Sequence, residues 1–269
     1  MRLALLAILL VLALGCASTP DAKAPSNPRV VVTTDTGSFT VELRPDLAPL
    51  HVARFLRWAE ERGGESGAEG YAGSGVCEAR GGAFLVLGCL APENPFARPG
   101  PRGNAERLSE EVDRVGLGLA DKRITEFKDI EYLWQREVFP RALSLEEQGR
   151  EVPPTLAEWV AEVRARGDEA VPLLEGMSWH EYLGGMGYAH REGASAMPLE
   201  RGALAAASYW PGESDERFMI ALADVPEREG RVTVFGLVVE GLELVEQIAA
   251  RPVNRVRVPR EPVVIESLQ

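Results

Sequence analysis

The chain of 269 residues is predicted to be mainly β, with a helical insertion in its middle. Two observations predict this fold class. Short alternating apolar segments separated by turn residues occupy residues 29–103 and 200–269, as is typical of antiparallel strands. Residues 104–199 show no strand pattern and carry several signals for helix starts. A stretch of that length is too long for a loop, so we expect it to form an acidic helical subdomain.

The amino terminus is predicted to be an export signal. An apolar run over residues 3–14 would rise about 18 Å as a helix, well short of a hydrocarbon core of about 30 Å. That length fits a signal peptide over residues 1–15. The run ends in Leu-Ala-Leu-Gly before Cys16, which resembles the lipobox of bacterial lipoproteins and implies lipidation of Cys16. Secretory cleavage with an incidental cysteine is the alternative, and residues 16–28 are expected to be a flexible tether.

The first β zone is predicted to contain two hairpins around a helix. The β-branched run 30–34 and the alternating run 38–43 flank a Thr-Gly turn. Apolar residues between Ala48 and Ala59 recur at helical spacing. Residues 76–80 and 84–89 flank Gly81-Gly82, which indicates a second hairpin.

The insertion holds three Ser/Thr-x-x-Glu patterns, each of which predicts a capping box at a helix start. The pairs are Ser144 with Glu147, Thr155 with Glu158, and Ser178 with Glu181. Glu110-Glu111 follows Ser109 and is interpreted as a solvated helix start, where the helix dipole favours negative charge.

The last β zone repeats the strand pattern of the first. Residues 203–208, 218–222, 232–239 and 263–266 are predicted strands, because β-branched and apolar residues dominate them. A short helix is predicted after Gly241, where apolar residues return at helical spacing.

Charge and composition exclude several classes of function. The 29 Lys and Arg against 41 Asp and Glu give a net charge of −12, which argues against a nucleic-acid partner. Three His and three Cys are too few and too scattered for a typical zinc or iron–sulfur site. We therefore expect no metal and no cofactor.

Four segments of the chain carry motifs of one known family. Residues 39–49 (FTVELRPDLAP) are similar to the family's opening, and residues 202–207 (GALAAA) to its GxLxMA strand. Residues 233–241 (TVFGLVVEG) are similar to its TVFGRVVEG motif, and residues 262–266 (PVVIE) to its last strand. Together the segments resemble the cyclophilin-type peptidyl-prolyl cis-trans isomerases. The resemblance implies a closed eight-stranded antiparallel barrel with two capping helices and binding of proline-containing peptides.

The position of the family's catalytic arginine is not clearly retained. Rotation about a prolyl bond faces a barrier near 20 kcal/mol, and lowering it requires a donor aimed at the prolyl nitrogen beside an apolar pocket. Aligned from Tyr71, the arginine position holds Glu78, and aligned from Phe84 it holds Ala79. Arg80 is the nearest candidate donor, and the family's glutamine becomes Leu87.

The resemblance also assigns a peptide-binding face, whose polar members are largely replaced here. Glu227-Arg228 stand where the family has an apolar or His-Leu pair. The positions assigned to peptide binding are Phe84, Leu85, Leu87, Ala207, Ser208, Met219 and Val232.

Cys77 and Cys89 lie on the two arms of the second predicted hairpin. In an exported protein with Cys16 lipidated, they are candidates for a disulfide. Two buried thiols are the alternative.

Three hypotheses of function follow. The first is an isomerase anchored in the cell envelope by lipid alone, on the periplasmic face of the outer membrane, acting on exported or unfolded polypeptides with weak or lost activity. The second is a non-catalytic cyclophilin-like lipoprotein that binds peptide segments or an envelope partner. The third is a structural lipoprotein whose insertion does the binding.

Overall fold

The computed structural model describes residues 27–60, 70–90, 107–207 and 212–269, and all statements below concern these residues. The signal segment and Cys16 lie outside them, as does Ser208. The strands are β1 (Arg29–Thr34), β2 (Gly37–Leu43), β3 (Gly75–Arg80), β4 (Phe84–Cys89), β5 (Leu108–Ser109), β6 (Ala203–Ala206), β7 (Glu213–Ser214), β8 (Phe218–Ala221), β9 (Val234–Glu240) and β10 (Ile265–Leu268). The α-helices are α1 (Pro49–Glu60), α2 (Phe127–Leu133), α3 (Phe139–Glu147), α4 (Pro154–Arg166), α5 (Trp179–Gly185) and α6 (Leu242–Ala249).

Eight strands form one antiparallel sheet in the order β10-β1-β2-β9-β6-β8-β4-β3. Its two edges meet, because Gly75 at the start of β3 bridges Val264 just before β10. The Ile265 amide donates to the Ser74 carbonyl over 2.7 Å. The sheet therefore closes into a barrel, which leaves no long free edge. The predicted mainly β, eight-stranded antiparallel fold is confirmed.

The barrel interior is filled by the alternate residues that the sequence pattern predicted. Phe39, Val41 and Leu43 of β2 are at most 1% exposed, and the residues between them face outward. Phe55 of α1 packs over one end, with its ring centroid 5.3 Å from that of Phe218. Helix α6 contributes Val245 and Ile248 to the same interior cluster. Two helices thus cap the barrel, as expected.

The insertion builds an apolar core of its own. Helix α2 continues through a π-helical turn (Trp134–Val138) into α3. Trp159 of α4 stacks on Tyr182 of α5 with ring centroids 5.9 Å apart. Leu156 and Tyr182 are completely buried in this cluster.

One of the three predicted capping boxes is present. The Ser178 hydroxyl accepts from the Glu181 amide, and the Glu181 side chain accepts from the Ser178 amide. The other two predictions are wrong. Ser144 lies inside α3, which has already begun at Phe139, and the N-cap of α4 is Pro153, which lacks a capping side chain.

No helix among the described residues is long and apolar enough to span a membrane.

Candidate functional site

The outward-pointing side chains on one side of the barrel form a second apolar layer, here called the outer-face cluster. Phe84 and Val86 point outward because side chains alternate along β4, which turns Leu85 and Leu87 into the barrel interior. Phe84 and Met219 are completely buried. The cluster contains Cys77, Phe84, Val86, Cys89, Leu199, Ala203, Ala205, Ala207, Met219, Ala221, Val225, Val232 and Val234.

This cluster is covered rather than open. The guanidinium carbons of Arg80 and Arg228 lie 5.1 Å and 4.6 Å from the centroid of the Phe84 ring, within range of a cation–π interaction. Leu199 belongs to the cluster, and Met197 packs against it. A proline ring therefore finds no open hollow over Phe84 and Met219 in the described part of the chain.

The structure separates the predicted site residues into two groups. Ala207, Met219 and Val232 lie with Phe84 in the outer-face cluster. Leu85 and Leu87 are buried in the barrel interior, so their assignment to a peptide-binding face is not supported by this geometry.

Arg80, the candidate donor, points away from the barrel interior. Ala79 between Glu78 and Arg80 belongs to the interior cluster, so the two charged side chains share the outer side of β3. The Nε of Arg80 donates to Oε1 of Glu78 over 2.7 Å. The Arg80 side chain is 39% exposed. Arg80 is thus held by Glu78, the residue that occupies the family's arginine position when the sequence is aligned from Tyr71.

A disulfide joins β3 and β4 within the outer-face cluster. Cys77 and Cys89 are bonded, with their Cα atoms 5.4 Å apart. The register shifts on either side of Val76, with Gly88 as the extra residue in β4 and Cys77 as the extra residue in β3, as in β-bulges. A loop of this size stabilises the fold by about 3 kcal/mol through the chain entropy of the unfolded state.

An open cleft, here called the arginine cleft, lies between the barrel and the insertion. Its volume is about 490 Å³. Arg80 and Arg228 line one side, while Tyr132, Arg136 and Tyr188 of the insertion line the other. The full lining is Arg80, Tyr132, Arg136, Glu137, Pro140, Arg141, Ser144, Met186, Tyr188, Glu227, Arg228, Arg231 and Val232.

Several arginines of this cleft are held by their neighbours. Arg231 contacts Oε2 of Glu137 at 2.9 Å, and burial opposes its charge while Tyr188 and Glu137 outweigh that effect and raise its pKa. Arg141 donates to the Met186 carbonyl over 2.6 Å. Burial lowers the pKa of Arg228, and Arg80 adds to this shift. Guanidinium groups stay charged in proteins, so the cleft keeps its positive charge.

A buried polar network joins α1 to the start of the insertion. His51 Nδ1 lies 2.9 Å from Oε2 of Glu111, and its Nε2 lies 2.8 Å from the Ser214 hydroxyl. Arg54 also donates to that hydroxyl over 3.1 Å. The Glu110 carboxylate accepts from the amide and hydroxyl of Thr233.

The spacing of Ser214, His51 and Glu111 is that of a nucleophile, a base and an orienting carboxylate. The three residues are at most 1% exposed, and Arg54 competes for the serine oxygen. A substrate carbonyl could not reach Ser214 without unpacking β7. We therefore interpret the network as structural.

Glu111 caps helix α1, which the sequence did not suggest. Its Oε2 accepts from the amides of Leu50 and His51, over 3.0 Å each. The expectation that Glu110-Glu111 forms a solvated helix start is wrong, since both residues are buried and follow β5 in an extended segment. The partners lie 60 residues apart, so no local pattern reveals them.

The two carboxyls of this network have opposite pKa shifts. Burial raises the pKa of Glu110, against the opposing effects of His51 and Thr233. Burial also disfavours ionisation of Glu111, yet hydrogen bonds from the His51 side chain and backbone outweigh it and lower its pKa. Glu111 therefore stays ionised to a lower pH than Glu110.

Comparison with known proteins agrees with the family resemblance. Residues 161–269 match the family model described as cyclophilin type peptidyl-prolyl cis-trans isomerase/CLD. The match covers the carboxyl-terminal part of the chain, which holds β6 to β10 and α6. No curated protein sequence matches the chain.

Two solved structures of a cyclophilin type peptidyl-prolyl cis-trans isomerase from Cryptosporidium parvum are similar to the chain. The one with the dipeptide Ala-Pro is 14% identical, with a TM-score of 0.48, and the alignment covers 90% of this chain and 97% of that one. The structure without the dipeptide is 13% identical, with a TM-score of 0.48 and coverage of 90% and 96%.

Proposed function

We propose that the chain is a lipid-anchored protein of the bacterial envelope whose cyclophilin-type barrel binds segments of exported polypeptides. In this proposal its prolyl isomerase turnover is weak or lost. The proposal that isomerase turnover is weak or lost rests on the closed outer-face cluster. Phe84 and Met219 are fully buried, and two guanidinium groups cover the Phe84 ring.

The energetic argument concerns the donor as well as the pocket. A preorganised donor to a developing charge contributes about 3–4 kcal/mol, or about 10² to 10³ in rate. Arg80 is engaged by Glu78, and among the described residues the outer-face cluster beneath it is packed rather than open to a proline ring. Losing both elements leaves binding without efficient rotation of the prolyl bond.

A protease-coupled assay with prolyl peptides tests this proposal. Residues 17–269 would be assayed against peptides that differ in the residue before proline. We expect a rate no more than a few times the uncatalysed rate. Fast turnover that Arg80→Ala abolishes would overturn the proposal.

Retained isomerase activity with Arg80 as donor is the second candidate. It is favoured by the place of Arg80, which lies on the outer side of β3, partly exposed and over the Phe84 ring. A fast rate in the same assay would select it. In that case Glu78→Gln should raise the rate further, because it weakens the hold on the guanidinium.

Envelope anchoring is supported by the sequence before and at Cys16. A radiolabelled fatty acid should be incorporated into the wild-type chain in a bacterial host and not into Cys16→Ser. A chain that is exported without lipid in both forms would contradict the anchor and leave the barrel proposal standing.

A further inference from the structure

The arginine cleft combines features that the proposed function leaves unused. It brings five arginines, Arg80, Arg136, Arg141, Arg228 and Arg231, to one concave surface. Only Glu137 and Glu227 in its lining oppose them. The chain as a whole carries a net charge of −12. A positive pocket on so acidic a protein is a local feature, which the average composition does not produce.

The ion pairs inside the cleft leave several arginines available to a ligand. Glu137 contacts Arg231, and Glu78 contacts Arg80 from outside the lining. Arg141 donates its Nε to a backbone carbonyl, and Arg228 lies over an aromatic ring, so neither of these contacts neutralises its charge. Arg136 is exposed on the π-helical turn. The cleft therefore keeps an excess of positive charge.

Apart from Ser144, the uncharged lining is aromatic and apolar. Tyr132 is 59% exposed, and Tyr188 lies beneath the guanidinium groups of Arg141 and Arg231 at 5.6 Å and 5.4 Å. Pro140, Met186 and Val232 supply the rest of this surface. Small-molecule and peptide sites typically have volumes of about 300–1,000 Å³, a range that includes this cleft. A ligand that fits would present both anionic and apolar groups.

We infer that the arginine cleft binds a carboxylate-bearing segment of a polypeptide. Guanidinium groups form paired hydrogen bonds to carboxylates, and the tyrosines and proline suit the aliphatic parts of such a segment. The net negative charge of the chain disfavours nucleic acid and an anionic membrane as occupants. This inference rests on the proposed function in taking a polypeptide as the occupant, and it adds the chemistry that the segment must carry.

Fluorescence anisotropy with the full-length chain in mild detergent tests the inference. The probes are a fluorescein-labelled peptide that alternates Glu and Ala and a matched peptide that alternates Gln and Ala. We expect the acidic peptide to bind about tenfold more tightly, with an affinity that falls as salt is added. Arg136→Gln and Arg228→Gln should each weaken its binding by about tenfold.

Arg164→Gln is the matched control, because Arg164 is exposed on α4 and does not line the cleft. It makes the same change of charge within the insertion and should leave affinity within about twofold. Circular dichroism of each variant checks that it is folded. If Arg228→Gln loses structure because Arg228 packs on Phe84, Arg136→Gln remains as the test, since Arg136 is exposed.

The remaining outcomes separate this inference from the proposed function. Equal binding of the two peptides, unchanged by Arg136→Gln, would refute the cleft as the site while peptide binding by the chain stands. Binding of inorganic phosphate, measured by calorimetry, without any binding of the acidic peptide would show a small-anion site instead and overturn the inference. Absence of binding by both peptides would overturn the inference as well. The prolyl isomerase assay would then remain as the separate test of the proposed function.

Discussion

The outer-face cluster and the arginine cleft adjoin each other but differ in exposure and charge. Arg80 and Arg228 cover Phe84 of the cluster, whose ring is completely buried. The same two side chains line the open cleft of about 490 Å³, as does Val232 of the cluster. One pair of arginines thus covers an apolar face and supplies positive charge to the cleft beside it.

The difference shows that one arginine can belong to two surfaces. A long side chain packs its apolar stem and planar group on a ring while its charged edge still faces water. Arg228 therefore covers the Phe84 ring and also adds a positive group to the wall of the cleft.

Truncation of an aromatic ring in each region should give the largest contrast. Phe84→Ala removes a completely buried ring and should lower the free energy of unfolding by about 3–5 kcal/mol. Tyr132→Ala removes a ring that is 59% exposed and should change it by less than about 0.5 kcal/mol. Urea unfolding followed by circular dichroism measures both. Similar losses for the two variants would contradict the contrast between a closed and an open region.

Removal of the shared guanidinium should have an intermediate effect. Arg228→Ala loses a cation–π contact and should cost about 1 kcal/mol of unfolding free energy while uncovering Phe84. Binding of an Ala-Pro peptide with blocked, uncharged termini, measured by calorimetry, should then strengthen by severalfold over the wild type. Arg136→Ala is the control, because Arg136 lines the cleft without covering Phe84. Unchanged binding in both variants would show that Arg228 does not close the face.

The smallest expected effect is a difference in pH dependence, which should come from the buried network and not from the cleft. Burial raises the pKa of Glu110 in the folded state above its usual 4.5. The folded chain then holds this proton more firmly than the unfolded chain, so the stabilisation is full below pH 4.5 and is lost as pH rises through the raised value. Glu111 acts with the opposite sign, because its folded-state pKa is lowered.

Glu110→Gln should therefore remove the contribution of Glu110 to the fall in stability over the pH interval above about 4.5. Urea unfolding at several pH values in this interval measures the slope. Glu169→Gln, at an exposed site, is the control and should retain the wild-type slope. A Glu110→Gln variant with the wild-type profile would show that Glu110 does not titrate differently in the two states.

The strands could be predicted because their signal is local. Alternation in β2 and the turn before it fix which residues face inward, and the structure has Phe39, Val41 and Leu43 there. The strand boundaries differ from the predicted ones where pairing with a distant segment determines them. The last strand is predicted to begin at residue 263, whereas β10 begins at Ile265 and Val264 forms the bridge to Gly75.

The site could be predicted only in part, since its contacts join distant residues. Arg228 lies over Phe84, although more than a hundred residues separate the two in the sequence. The residues around Arg228 indicate only that a residue of the family motif is replaced there. Leu85 and Leu87 were assigned to the peptide face by alignment, but the alternation in β4 turns them inward. Counting alternate residues along β4 from Phe84 would have placed Leu85 and Leu87 on the side opposite to Phe84 and Val86, with both facing the barrel interior when Phe84 and Val86 face outward.

The cap that Glu111 provides makes a helix of the barrel depend on the insertion. The amides of Leu50 and His51 have this acceptor only once Glu111, 60 residues after His51, has been synthesised. Excising residues 104–199 would therefore leave the first turn of α1 without its carboxylate cap.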